Sequence, residues 1–189
     1  MDYEAIKAGL AKVVPMNTHL GLELLEVGDG RGVVRLPDDA RMLNHVGSQH
    51  AAGLFAAGEF ASGAAMTGAL AAHLANATPL AAAASITYKK LAKGPVTATA
   101  RLSEAAAAIA ERLTADGRAE FAAEIEMTDE QGVAVATMRC SGTCASGDER
   151  STSRWLVASP GSRSTHRQPA CGPRSQRLEA PPWGRVKGA

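Results

Sequence analysis

Apolar positions near the start of the chain, Ile6, Leu10, Val13 and Val14, recur at helical spacing until Pro15, which predicts a short amphipathic lid helix over residues 3–13. Two short apolar runs, residues 22–27 and 33–36, flank Gly28-Asp29-Gly30-Arg31-Gly32 and read as a hairpin. A polar loop then leads into residues 51–74, apolar on every side, which predicts a helix buried at the centre of the fold. After Pro79, residues 82–89, 96–102, 119–127 and 133–140 read as strands. The third of these alternates cleanly, with Phe121, Ala123, Ile125 and Met127 on one face and Glu120, Glu124 and Glu126 on the other. Ser103 is placed to cap a short helix over residues 104–114, ended by Asp116-Gly117, and Asp129-Glu130-Gln131-Gly132 supplies a further turn. Strands grouped around one central helix indicate an α+β fold rather than a parallel α/β sheet.

Charge divides the 189 residues near position 145. Residues 146–189 hold eight Lys/Arg against three acids, while the preceding part holds twelve against sixteen, so the near-neutral total joins an acidic body to a basic tail. The expected organisation is one domain over residues 1–145 and a Ser/Pro/Gly/Arg-rich tail over 146–189, too poor in apolar pattern to offset the entropy of ordering it and read as disordered. The tail lacks the interleaved aromatics that base stacking favours, so no nucleic-acid partner is expected. Cys140, Cys144 and Cys171 have no paired C-x-x-C spacing, which speaks against a zinc site and for a reducing compartment. Met1-Asp2-Tyr3-Glu4 is acidic where a signal peptide is basic, and the long apolar stretch is rich in Ala and Gly with an acid inside it. A cytoplasmic protein without a membrane segment is expected.

That acid carries the candidate chemistry. Between Ala51 and Ala72 the only ionisable side chain is Glu59, and a carboxylate in an apolar segment loses hydration that a partner or a chemical role must repay. It follows the run Asn44-His45-Val46-Gly47-Ser48-Gln49-His50, in which Gly47 reads as a turn requirement and His45 as a packing residue of the loop.

Asn44, then His50 six residues on, then Glu59 nine further, resembles the hotdog-fold PaaI-like acyl-CoA thioesterases and their uncharacterised DUF4442-type relatives. Ile86-Thr87-Tyr88-Lys89-Lys90-Leu91-Ala92-Lys93-Gly94-Pro95 is similar to the strand-turn-strand segment of that family, and the resemblance covers about residues 3–143. It implies a curved antiparallel sheet wrapped around a long central helix, hydrolysis of acyl-CoA thioesters, and self-association. The common His-Gly-Gly is replaced by His50-Ala51-Ala52, which excludes a glycine-only conformation there. Gly63 stands one turn after Glu59, where some relatives carry a hydroxyl, and Ser62 is rotated away from it by about 100°.

In the chemistry so implied, the Ala51 amide at the helix start polarises the thioester oxygen and Glu59 serves as nucleophile or general base. Asn44 orients the water or the acid, and His50 positions the loop or the thioester. Lys90 and Lys93 meet the phosphates of coenzyme A, which enters as substrate; no cofactor or metal is expected. Each residue also has a plainer reading: a buried acid paired in the core, a helix-capping His, a turn Asn, a solvated lysine face. On one straight helix His50 and Glu59 lie roughly 13.5 Å apart and about 180° around the axis, so two copies related by a two-fold are needed to present both to one carbonyl. A homodimer or dimer of dimers with composite sites is therefore expected. The competing reading is a non-catalytic acyl-CoA-binding module. A metal hydrolase on His45, His50 and Glu59 lacks the spacing of a zinc helix, and neither G-x-S-x-G nor a phosphate-binding Gly-rich loop occurs.

Overall fold

The computed structural model describes residues 1–147, so the proposed tail lies outside the described residues apart from Ser146 and Gly147. Helix α1 spans Tyr3–Val13, its first turn capped by the Asp2 carboxylate, which accepts from the Ala5 N–H at 3.0 Å. Pro15 does more than end it. A second short helix, α2, runs over Pro15–His19 with the proline in its first turn, where its missing N–H costs nothing.

Strands β1 (Glu23–Gly28) and β2 (Arg31–Leu36) form the expected hairpin. Helix α3 covers Ala51–Leu70, four residues shorter than the apolar pattern suggests, and is followed by β3 (Ala77–Tyr88), β4 (Val96–Leu102), α4 (Ala106–Asp116), β5 (Arg118–Thr128) and β6 (Ala134–Ser146). Four strands outrun their sequence pattern, β2 by starting two residues earlier, at Arg31. β3 begins before Pro79, β5 gains a residue at each end, and β6 continues six residues past Cys140 because β3 and β5 pair with it on both sides. Helix α4 starts two residues later than expected: Ala105, not Ser103, holds the N-cap position, and Gly117 ends the helix at φ +66°.

All neighbouring strands are antiparallel, in the order β1-β2-β4-β5-β6-β3, which leaves β1 and β3 at the edges. Every strand touches α3. Six strands about 4.8 Å apart are far wider than one helix, so the sheet must bend around α3 to do this. The approach is close: a methyl group at Gly32 of β2 would collide with the Ala61 carbonyl, and one at Gly68 of α3 with the Gly28 carbonyl. The buried face of β5 is the one its alternation announces, with Phe121, Ala123, Ile125 and Met127 inside.

The core lies between α3 and the sheet. One cluster packs Leu54, Ala57 and Phe60 against Val34, Leu36, Ile125 and Met138, and a second joins Met66 and Leu70 to Ile109 and Leu113 of α4. Helix α3 is thus central, as its composition requires, yet Ala52, Phe55 and Gly63 are exposed and Glu59 half-buried, a stripe along one face that the sheet leaves uncovered. Among the described residues no helix is long and apolar enough to cross a membrane.

Candidate active site

The loop before α3 is built by its own polar side chains. Asn44 Oδ1 accepts from the N–H groups of Val46 and Ser48 at 3.0 and 3.1 Å, and its Nδ2 donates to Ser48 Oγ at 2.9 Å. Gly47 turns the chain at φ +70°. Leu43 and Gln49 pair across this turn, and Gln49, which is buried, anchors the whole loop: its N–H donates to the Ala92 carbonyl, and its Nε2 to the carbonyls of Pro37 and Gly94. Lys93 therefore lies between two anchor points of the loop that carries His50. His45 is exposed, so the packing role expected for it does not occur.

His50 is the N-cap of α3. Its Nδ1 accepts from the Ala52 N–H at 3.0 Å, so the ring proton of the neutral imidazole sits on Nε2, which is left to face outward from an exposed side chain. The Tyr88 hydroxyl, at the end of β3, donates to the Ala51 carbonyl at 3.2 Å. Ala51 has an ordinary helical backbone, so replacing glycine here carries no strain. Its N–H has no acceptor among the described residues, one of the unsatisfied donors that every helix start presents.

Glu59 lies two turns further on, in the wall of an apolar cavity of about 270 Å³. Leu10 and Val13 of α1 and Val14 just after it line one side; Phe60, Ser62, Met66 and Thr67 of α3, Leu80 of β3, Phe121 of β5 and Cys140 of β6 contribute to the rest. The carboxylate has no hydrogen-bond or ion-pair partner among the described residues, and burial raises its pKa above the ordinary glutamate value. Ser62 does not help to hold it, because its hydroxyl donates to the Glu59 main-chain carbonyl at 2.7 Å. A larger hollow of about 540 Å³ between α4 and β5 is more open and lined by paired charges such as Arg112 and Glu120. Its carboxylates, Asp116 and Glu120, stand beside Arg112 and Arg118, whereas the Glu59 cavity has no Lys, Arg or His in its lining.

Within one chain the candidates separate into two places. Asn44, His50 and Ala51 gather at the helix start, and none of them reaches the walls of the Glu59 cavity. The eight residues of helix from Ala51 to Glu59 hold them about 12 Å apart. Lys90 and Lys93 are exposed and without side-chain partners among the described residues. No group of three or more His, Cys, Asp or Glu among those residues could hold a metal ion.

Residues 3–143 match the DUF4442 domain, a domain of unknown function. The chain belongs to the DUF4442 family. Solved structures resembling this DUF4442 chain include a Pseudomonas aeruginosa protein of unknown function, a probable thioesterase, with 26% identity over 76% of this chain and 95% of its own, and a TM-score of 0.67. The PaaI protein of the Escherichia coli phenylacetic acid degradation operon is 22% identical over 76% of this chain and 93% of its own, with a TM-score of 0.56. A thioesterase from Haemophilus influenzae is 18% identical over 77% and 92%, with a TM-score of 0.61. These likenesses establish the hotdog architecture for the DUF4442 chain. No curated protein matches it.

Gln49 and Tyr88 are the positioning residues that the sequence pattern did not disclose. Their partners lie 12 to 45 residues away, and no local spacing signals such contacts.

Proposed function

We propose that this protein hydrolyses acyl-CoA thioesters at a site shared between two copies of the chain. The observation that carries the reading is the unpartnered, half-buried Glu59 carboxylate in an apolar cavity, within a fold whose solved relatives include thioesterases. Glu59 takes a proton from water as the water oxygen bonds to the thioester carbonyl carbon. The resulting oxyanion accepts from the Ala51 N–H of the second copy, and its collapse expels the CoA thiolate and leaves the carboxylic acid. A carboxylate with a raised pKa is a better base for this step than an exposed glutamate. Direct attack by Glu59 is the variant in which water enters second.

Self-association is supported by β3. It is a twelve-residue edge strand whose residues 81–85 are exposed and uncharged, and such an edge is ordinarily covered or paired. Pro79, Leu80 and Ala81 of the same strand help to wall the Glu59 cavity, so a second copy joined there brings its own helix start toward it. Lys90 and Lys93 are free to meet the CoA phosphates. The substrate itself supplies the coenzyme, and the free, buried Cys140 and Cys144 suit a cytoplasmic setting.

A second reading, an acyl-CoA-binding module without turnover, is favoured by one observation: the polar side chains near the two candidate places are committed to the backbone, Asn44 Oδ1 to its own loop and the Ser62 hydroxyl to the Glu59 main-chain carbonyl. Thiol release from a panel of acyl-CoA thioesters decides between them. Hydrolysis by the intact chain that falls roughly a hundredfold in folded Glu59→Gln is the expected result. Binding without thiol release by either form establishes the second reading.

A further inference from the structure

Helix α3 carries a glycine at every fifth position, Gly53, Gly58, Gly63 and Gly68. Glycine is among the least favourable residues inside a helix, so each needs a reason. Three have one in the packing. A methyl group at Gly53 would press on Met42 and Leu36, one at Gly58 would collide with Met127 and Met138, and one at Gly68 with the Gly28 carbonyl. Gly63 has none. A methyl group there meets no atom within 4 Å, its φ is not in the left-handed region, and it is exposed while Ser62 and Ala64 beside it are buried.

The empty space it leaves belongs to the Glu59 cavity, whose wall it shares. Gly63 follows Glu59 by one helical turn on the same face, about 6 Å along the axis. Atoms of a substrate in that space lie within roughly five carbon–carbon bonds of a carbonyl held at Glu59. Ser62 and Thr67 are the polar uncharged residues of the lining, the other walls are apolar, and no Lys, Arg or His lines the cavity.

We infer that Gly63 is a specificity-determining position, leaving room for an uncharged acyl group that is bulky within a few carbons of its carbonyl, branched or cyclic. This rests on the proposed thioesterase reading and adds the class of acyl group to it. The fold has no use for the glycine; the substrate does.

The test compares the full chain with Gly63→Ala and Gly63→Val on acetyl-CoA, isobutyryl-CoA and cyclohexanecarbonyl-CoA. In Gly63→Val, kcat/KM for the branched and cyclic thioesters is expected to fall roughly tenfold or more while acetyl-CoA changes less than about twofold. An equal loss on all three, or no loss, overturns the inference. Gly63→Ala is expected to raise the melting temperature without ligand and to leave the oligomeric state unchanged. A lowered melting temperature or a changed assembly shows that the glycine serves folding or a subunit contact, and overturns it equally. Calorimetric binding of the matching S-ethyl and S-cyclohexylmethyl CoA thioethers separates this inference from the hydrolysis reading. Selective loss of the bulky thioether in Gly63→Val, in a chain that releases no thiol, retains the role of Gly63 and removes hydrolysis; absence of selective loss removes the role of Gly63 whatever the turnover.

Discussion

At the scale of single residues, the catalytic role proposed for Glu59 has a counterpart in stability. Its folded-state pKa is raised by burial, so the native state binds a proton more tightly than the unfolded chain does. Ionised Glu59 therefore opposes folding, and stability falls as pH rises from about 4.3 through the raised native value. Glu59→Gln is expected to remove that slope: urea unfolding at neutral pH should find the variant at least as stable as the parent, with the two converging in acid. A variant less stable at neutral pH would point instead to a structural partner for the carboxylate. Ala51 permits an equally selective change. It is the first residue of α3, where proline is tolerated, and His50 before it is already extended at φ −68° and ψ 139°, as a residue preceding proline must be. Ala51→Pro therefore deletes one N–H and little else. Turnover is expected to drop about a hundredfold, the usual worth of one oxyanion donor, with the circular dichroism spectrum unchanged.

Among the elements, α4 is the longer of two helices whose starts lack a side-chain cap, the other being α2. Ala105 stands at the N-cap with an extended backbone, φ −64° and ψ 136°, and no side-chain hydrogen bond to the first turn. Ala105→Ser is expected to stabilise the protein by about 1 kcal/mol in chemical denaturation. The sequence suggested Ser103 as this cap, and the two-residue shift shows where local signals fail: the strand β4 runs on to Leu102, and Ser103 N–H is already taken by the Ala122 carbonyl. Elements that pack one face against the rest were legible because a period of two or 3.6 is the direct imprint of that packing, as in β5, buried on one face, and α1, where Ile6 and Leu10 are half-buried. The first half of β3 was not, since Pro79 reads as a break and is tolerated only because β3 is an edge. The end of β6 was hidden by its run of small residues, Ser141 to Ser146, whose strand character comes from pairing on both sides. In the site, Glu59 could be read from the chain because it is the lone charge in an apolar helix. The openness at Gly63 and the tether from Tyr88 depend on contacts across the fold and left no local trace.

For the whole molecule, the question is whether one chain or two make a site. Ala51 and Glu59 stand about 12 Å apart on a single rigid helix, which no side-chain motion closes. Mixing subunits gives a direct answer. Ala51→Pro and Glu59→Gln are each expected to be nearly inactive, yet a dimer formed from one of each contains one site with both groups intact. An equimolar mixture, unfolded and refolded together, should recover about a quarter of the parental activity in a thiol-release assay. Recovery of none would place both groups of each site in one chain. The exposed edge of β3 then acquires a meaning beyond architecture. A centre completed only when two such edges meet would make specific activity climb with the chain's own abundance, so that the amount of protein present would itself set the turnover of each molecule.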